Sequence, residues 1–270
     1  MNPNKALWEK GDFTRIAQTM RTSGEELITQ LGINKNMKVL DLGCGDGTTA
    51  IPAAKTGAEV RGVDIAVNLV AAGNRRAVEQ GLVNCTFTEG DACKLNDLND
   101  NTFDRVISIF GAMFAPKPFD VAKEMVRVVK PGGKIIMGNW IPGDPTLVAQ
   151  VLRISSAYTP PPPEGFISPM TWGVESNVIE RFGAAGITPD NIQFEKAGYT
   201  FRADYRPAVF LSYFKKFYGP TMNAFEAAAN NGKEEQLEQE LTDLFNTQNK
   251  NGADGATEIT ATYLRVTVTC

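Results

Sequence analysis

The sequence predicts an α/β fold: one doubly wound domain whose seven-stranded, mostly parallel sheet carries helices on both faces and a helical cap built from two insertions. Three observations predict it. Val39-Leu40-Asp41-Leu42 is a short apolar strand that runs directly into Gly43-Cys44-Gly45-Asp46-Gly47, a glycine-rich turn opening a helix. From Lys38 to Trp140, apolar strand-like runs alternate with stretches of helical period. Near the C-terminus, Thr257, Ile259, Ala261, Tyr263 and Arg265 mark a period-two pattern that reads as a closing strand.

Residues 6–31 have the spacing of a helix, with Ile16, Met20, Leu27, Ile28 and Leu31 on one side and Gly32 as the stop. Strands are expected at 38–42, 59–63, 84–88, 104–109 and 133–139, and helices near 46–56, 66–80 and 118–129. In the last of these, Ala122, Met125, Val126 and Val129 form the stripe that would face the sheet. Pro131-Gly132-Gly133 ends the connection and starts the next strand. Repeated β-α units with short loops require parallel strands joined by right-handed crossovers. After Trp140 the rhythm breaks. A helix at 147–157 leads to the extended Pro160-Pro161-Pro162-Pro163, then come a helix at 173–185, a strand at 192–201 and helical residues at 207–247. No repeat or linker divides the chain, so 1–270 reads as one domain. Its parts are an N-terminal helical segment (1–34), a core (35–140), cap insertions (141–172 and 203–252) and a final strand (257–269).

Composition removes several function classes. The 270 residues are 43% hydrophobic and 21% charged with net charge −4, which gives no electrostatic footprint for nucleic acid. No apolar run reaches the length of a membrane span, and Met1-Asn2-Pro3-Asn4-Lys5 has no apolar signal core, so a cytoplasmic location is expected. Cys44, Cys85, Cys93 and Cys270 lack paired metal-ligand spacing, and no metal is expected. The chain has no histidine, so its chemistry runs without the commonest general base.

The glycine turn separates two cofactor types. A dinucleotide fingerprint is Gly-x-Gly-x-x-Gly, whereas here Gly47 comes one place early and Thr48 stands at the third glycine's position. Asp41 and Asp46 flank the turn, and two carboxylates would repel a pyrophosphate. They suit a ligand with an ammonium and a sulfonium, which is S-adenosylmethionine rather than NAD. Val39 to Gly47 resembles the first motif of class I S-adenosylmethionine-dependent methyltransferases, and residues 35–140 resemble the small-molecule branch similar to the ubiquinone/menaquinone-biosynthesis enzymes. The resemblance implies a Rossmann-like sheet, with the last two strands antiparallel and the earlier of them at the edge. It also implies an N-terminal segment used as a flap over the cofactor; a helix packed on the sheet edge reads equally well.

On that resemblance the cofactor-binding candidates are Asp41, Gly43, Cys44, Gly45, Asp64, Ile65, Asp91, Ala92, Ile109 and Phe110. Asp64 ends the second strand, where a carboxylate accepts from both ribose hydroxyls, although an Asp there also suits a helix N-cap. Gly90-Asp91-Ala92 matches the element that meets the adenine, and as a bare pair Gly-Asp is an ordinary turn. Ser108 to Phe114 is apolar where methyltransferases of nucleic-acid amines carry Asn-Pro-Pro-Tyr, which argues for a small acceptor. Residues 199–218 hold eight of the 24 aromatics, and Phe210, Phe214, Phe217 and Tyr218 follow helical spacing. That stripe reads first as core and second as the wall of an apolar acceptor pocket. The pocket candidates are Phe114, Trp140, Tyr158, Trp172, Tyr213 and Phe217.

The function expected is methyl transfer by in-line displacement to a small, partly apolar molecule, releasing S-adenosylhomocysteine. The sequence singles out no catalytic base. The alternative is a protein that binds S-adenosylmethionine as a regulator or assembly partner without transferase activity. The role given to Asp64 predicts that Asp64→Ala weakens S-adenosylhomocysteine binding by about 1.5–3 kcal/mol. Titration calorimetry checks it, and an unchanged affinity would put the ribose elsewhere.

Overall fold

The computed structural model describes residues 4–270, so the first three residues of the expected N-terminal flap lie outside the described residues. The predicted single helix over 6–31 is broken into α1 (Asn4–Glu9), α2 (Thr14–Ala17), a 3-10 turn and α3 (Arg21–Gln30). The break follows Gly11-Asp12, where Asp12 accepts hydrogen bonds from the backbone and hydroxyl of Thr14 instead of continuing the helix.

The core alternates as expected. β1 (Lys38–Leu42), α4 (Ala50–Lys55), β2 (Glu59–Asp64), α5 (Val67–Glu79), β3 (Cys85–Glu89), β4 (Phe103–Ile109), α6 (Pro118–Val128) and β5 (Val129–Trp140) follow in order. α4 starts four residues later than the periodicity predicts, because residues 43–49 are consumed by the glycine turn. β5 starts earlier than predicted. Its register with β4 shifts between Phe103 and Arg105, so Pro131-Gly132-Gly133 forms an irregularity inside the strand, not its start. The remainder is α7 (Leu147–Tyr158), α8 (Glu175–Ala184), β6 (Ile192–Ala203), α9 (Pro207–Phe217), α10 (Gly219–Asn230), α11 (Glu234–Gln248) and β7 (Thr257–Thr269).

The seven strands form one sheet in the order β3-β2-β1-β4-β5-β7-β6. β1 to β5 pair in parallel, while β7 runs antiparallel to both β5 and β6, leaving β6 at the edge. Strand alternation assigns the two faces. Val39, Ile107 and Ile136 pack with Ile28, Ile51 and Ala77 on the side of α3, α4 and α5. Leu40, Val106, Ile135 and Met137 pack with Val121, Met125 and Phe182 on the side of α6 and α8. The apolar faces of α9, α10 and α11 join that second core through Phe210, Phe214, Ala224, Leu241 and Phe245.

The chain order reverses between β1 and β4, and there the turns after the two strands touch. A Cβ on Gly43 (φ 69°) would stand 2.6 Å from the Gly111 Cα, and one on Gly111 would stand 2.3 Å from the Gly43 carbonyl oxygen. Ser108, buried, ties the same turns together: its hydroxyl donates to the Leu42 carbonyl (2.6 Å) and accepts from the Ala112 N–H (2.9 Å). Gly111→Ala is therefore expected to destabilise by more than about 2 kcal/mol through overpacking. Gly183→Ala, in an α8 position with open space, is expected to stabilise by about 0.4–1 kcal/mol. Urea denaturation of the two variants checks the pair, and a Gly111→Ala protein as stable as the parent would show that the turns are not in contact.

Candidate active site

At the carboxyl ends of β1, β2, β3 and β4 lies a crevice of about 950 Å³, part of it open to solvent. Its floor is the glycine turn, which two hydrogen bonds hold to β2: the Gly43 and Cys44 N–H groups both donate to the Val63 carbonyl (2.7 and 3.2 Å). At Gly45 (φ 55°) a Cβ would project into open space, so this glycine serves the backbone conformation and not close packing. Of the ten cofactor candidates, Gly43, Cys44, Gly45, Asp64, Ile65, Asp91, Ala92, Ile109 and Phe110 line the crevice. Asp41 stands behind the floor, 1% exposed.

The acids are held in different ways. Asp41 Oδ2 accepts from the Thr49 hydroxyl, while Oδ1 is buried and makes no hydrogen bond. Asp64 accepts from the Gly45 N–H at Oδ2 (2.8 Å) and from the Ala66 N–H at Oδ1 (2.9 Å), which fixes its carboxylate toward the turn. Asp91 forms a local turn, its Oδ1 accepting from the Cys93 N–H (2.9 Å). Asp46 differs from the reading of two bare carboxylates beside the turn. It is buried and paired with the Arg21 guanidinium, and Arg76 approaches its Oδ1 at 3.7 Å. Its charge is compensated from the rear. The crevice itself is lined by no Lys or Arg among the described residues, while Asp64 and Asp91 both face it. A diphosphate has nothing to pair with there, and a cationic ligand does.

Next to the crevice lies a smaller chamber, partly open to solvent, whose empty space of about 360 Å³ includes that open part; among the described residues its lining is aromatic rings with Ile16, Met20 and Val148, and no ionisable group other than a tyrosine phenol. Trp8, Phe13, Met20, Phe110 and Phe114 line both spaces. Phe110 has a left-handed backbone (φ 62°), its N–H donating to the Gly138 carbonyl (2.9 Å). Its ring stacks on Trp140, with centroids 3.7 Å apart and planes 9° from parallel.

Among the six pocket candidates, Phe114 lines both spaces and Trp140 lines the chamber. The other four lie elsewhere. The Tyr158 hydroxyl donates to Glu240 Oε1 (2.7 Å) on the outside of the cap. Trp172 is 1% exposed, with the Arg181 guanidinium 4.5 Å over its ring and Phe182 at its edge. Tyr213 and Phe217 sit half-buried on the outer side of α9 beside Tyr205. Phe214 and Tyr218, each one place further along the chain and so on the adjacent line of side chains, reach the chamber instead. Trp8 and Phe13, which also close it, carried no periodic signal.

Residues 40–137 match the family described as "Methyltransferase domain". An uncharacterized protein of Mycobacterium tuberculosis is 32% identical over 246 residues, covering 89% of this chain and 86% of that protein. A demethylmenaquinone methyltransferase of Geobacillus is 36% identical over 115 residues, 42% of this chain and 49% of its own. The chain belongs to the class I S-adenosylmethionine-dependent methyltransferases. The fold is shared with a Haemonchus contortus phosphoethanolamine N-methyltransferase solved with S-adenosylhomocysteine (TM-score 0.56, 19% identity, 92% of this chain and 52% of that one). In the methyltransferase described here, the cation-free crevice and the unpartnered Asp41 Oδ1 fit the family's cofactor, whose methionine end carries an ammonium and whose sulfur is cationic. Among the described residues no helix is long and apolar enough to cross a membrane.

Burial pushes the Asp41 carboxyl up to about 7, with the Asp64 charge adding to the effect and the Thr49 and Ala50 hydrogen bonds opposing it. Burial likewise raises Asp64, against the hydrogen bonds from Ala66, Gly45 and Ile65. An acid whose folded pKa exceeds its unfolded value binds more protons in the native state, so stability falls as pH rises between the two values. For Asp41 that window runs from about 4 to about 7. The unliganded methyltransferase is expected to lose stability across it with a slope of up to about 1.4 kcal/mol per pH unit from Asp41. Asp41→Asn is expected to flatten the slope, and urea denaturation between pH 4.5 and 7.5 checks it; identical slopes would mean that Asp41 does not titrate there.

Proposed function

We propose that this methyltransferase moves the methyl group of S-adenosylmethionine to a small, partly apolar molecule held in the aromatic chamber. The observation that carries the reading is the continuity of crevice and chamber, since the same rings, Phe110 and Phe114 among them, wall both. A binding module without transferase activity has no use for a second, apolar space beside the cofactor's reactive end.

In this reading Asp64 holds the ribose hydroxyls, Asp91 and Ala92 meet the adenine, and Ile65 borders the nucleoside. Gly43, Cys44 and Gly45 let the backbone approach the methionine end, and Asp41 behind them favours its ammonium. Ile109 and Phe110 back the sulfur. Bound there, S-adenosylmethionine supplies an electrophilic methyl: the sulfur–carbon bond breaks as the acceptor–carbon bond forms, sulfur leaves as a neutral thioether and the acceptor gives up a proton where it carries one. The chain's own share is alignment and exclusion of water. Near-attack positioning alone is worth about 7–11 kcal/mol. Among the described residues no carboxylate, lysine or arginine lines the chamber, so those side chains supply no strong base there.

The segment α1–α2 is assigned as the cover. Trp8 and Phe13 close the chamber, Lys5 Nζ donates to the Ile65 carbonyl (3.0 Å), and Glu9 accepts from the Val67 N–H (3.1 Å). Incubation with methyl-labelled S-adenosylmethionine and a fractionated small-molecule extract tests the function. Label is expected in an organic-extractable product of low molecular mass, and the rate is expected to drop with Asp64→Ala. Binding of S-adenosylhomocysteine without transfer to any fraction would leave a binding protein, and selective NADH binding would overturn the assignment altogether.

A further inference from the structure

We infer that the methyl acceptor is an anionic amphiphile, an apolar body ending in a carboxylate. It lies along the groove between α7 and residues 163–170, with its carboxylate on Arg153 and its reacting end at Phe114. The inference rests on the transferase reading above and narrows its acceptor class, leaving to the aromatic chamber only the reacting end. Three features of the groove carry it.

The first is size and continuity. As true cavity the groove, partly open to solvent, holds about 710 Å³ and the chamber only about 40 Å³. A whole acceptor fits the first, and only its reacting end fits the second. Phe114 is, among the described residues, the one side chain that lines crevice, chamber and groove. The cover borders both acceptor spaces, since Leu7 lines the groove and Trp8 the chamber. Asn4 fastens it there by donating to the Phe114 carbonyl.

The second is an unfinished apolar wall. Leu152 of α7 lines the groove together with Phe166, Ile167 and Met170 of the segment that follows the prolines. Phe166 and Ile167 are adjacent in the chain and are 54% and 42% exposed, which is unusual for large apolar side chains in this fold. An apolar body laid against them removes that surface from water. Ser155, on the α7 side of the groove, is 3% exposed and its buried hydroxyl has no partner. A polar group in that state points to a partner supplied from outside the chain.

The third is charge. Arg153 and Glu164 are the charged side chains among the described residues that line the groove, and they form no ion pair with each other. Arg153 belongs to α7, and its Nε donates to Gln150 Oε1 (2.8 Å), which orients the guanidinium. Both terminal nitrogens are left for a carboxylate, the group whose geometry they match. A cationic acceptor would meet this guanidinium at one end and the cofactor's sulfonium at the other. Held on Arg153, the carboxylate is not the group methylated, so the product keeps its negative charge.

The test uses the full chain saturated with S-adenosylhomocysteine and three probes of one length: octanoate, octanol and octylammonium. Calorimetry is expected to rank octanoate tightest. Arg153→Gln is expected to weaken octanoate about three- to tenfold and to leave octanol unchanged. Phe166→Ser is expected to weaken octanoate and octanol alike. Octylammonium bound as tightly as octanoate, unchanged octanoate affinity in either variant, or no binding of any probe while S-adenosylhomocysteine binds would each overturn the inference. If a variant fails to fold, the parent's ranking of the three decides. In the labelling assay octanoate is expected to compete with the active extract fraction, and octanoate without effect on labelling would count against the groove as the acceptor site. The labelled product is expected to stay on an anion exchanger at neutral pH and to survive mild base. A product that passes the exchanger, or that mild base cleaves as a methyl ester, would sink the inference and leave the transferase reading intact. Absence of any labelled product would instead count against the transferase reading, with the probe affinities still judging the groove.

Discussion

The structure depends on two backbones that touch. Gly43 after β1 and Gly111 after β4 meet at the point where the strand order reverses, and neither position has room for a Cβ. Helices leave the sheet in opposite directions on either side of that point, which opens a crevice beyond the strand ends. The contact fixes how far apart the two turns sit. The hydrogen bonds of Ser108 and of the Val63 carbonyl then hold each turn in register with its neighbour. The Phe110 backbone is left-handed at the same place, a conformation costly for a bulky residue, and its ring stacks on Trp140 while its N–H bonds the Gly138 carbonyl.

Charge is arranged around that contact by position more than by number. Four acids stand within or beside the crevice, but they are not equivalent. Asp46 is compensated by Arg21 and Arg76 from outside, so it anchors the turn to the helices behind it and contributes little field to the ligand. Asp41 and Asp64 are buried without a cation, and each is harder to ionise for that reason. Burying carboxylates this way costs free energy in the unliganded protein. A ligand that brings positive charge recovers part of it, so affinity for a cation and native-state strain are two sides of one arrangement.

Much of this was legible in the sequence, for local reasons. A strand running into a glycine turn declares itself through neighbours, and so do amphipathic helices and the alternating final strand. What escaped depends on residues far apart. The partners of Asp46 come from α3 and α5, and nothing around Asp46 marks it as paired. Helical spacing placed an aromatic stripe on α9 but left its rotation open; Tyr213 and Phe217 form one line, Phe214 and Tyr218 the next, and only the packing of α9 on α11 and the sheet chooses between them. The late start of α4 was hidden because a glycine turn and a helical first turn share the same residue types. Trp172 has the composition of a pocket residue, yet Arg181 and Phe182 claim its ring for the core.

The same geometry constrains how a ligand enters. Trp8 and Phe13 belong to the proposed cover and also complete the chamber, so an acceptor reaches the rings only when α1 and α2 move or before they close. What holds α1 is light: it has no buried residue, and its ion pairs from Lys5 to Glu9 and Glu89 are largely solvated. Exposed pairs of this kind contribute little, typically up to about 1 kcal/mol each. The Trp8 ring adds edge contacts to Phe13, Phe114 and Tyr218, three rings that form the chamber wall. In the proposed reading, closing the cover and completing the acceptor site are one event. A cofactor bound under an open cover would be left beside water, and under a closed one its chamber side would face a mainly apolar lining of aromatic rings with Ile16, Met20 and Val148. In the proposed reading, that coupling would let a site without a strong base restrict methyl transfer to the acceptor that finishes it.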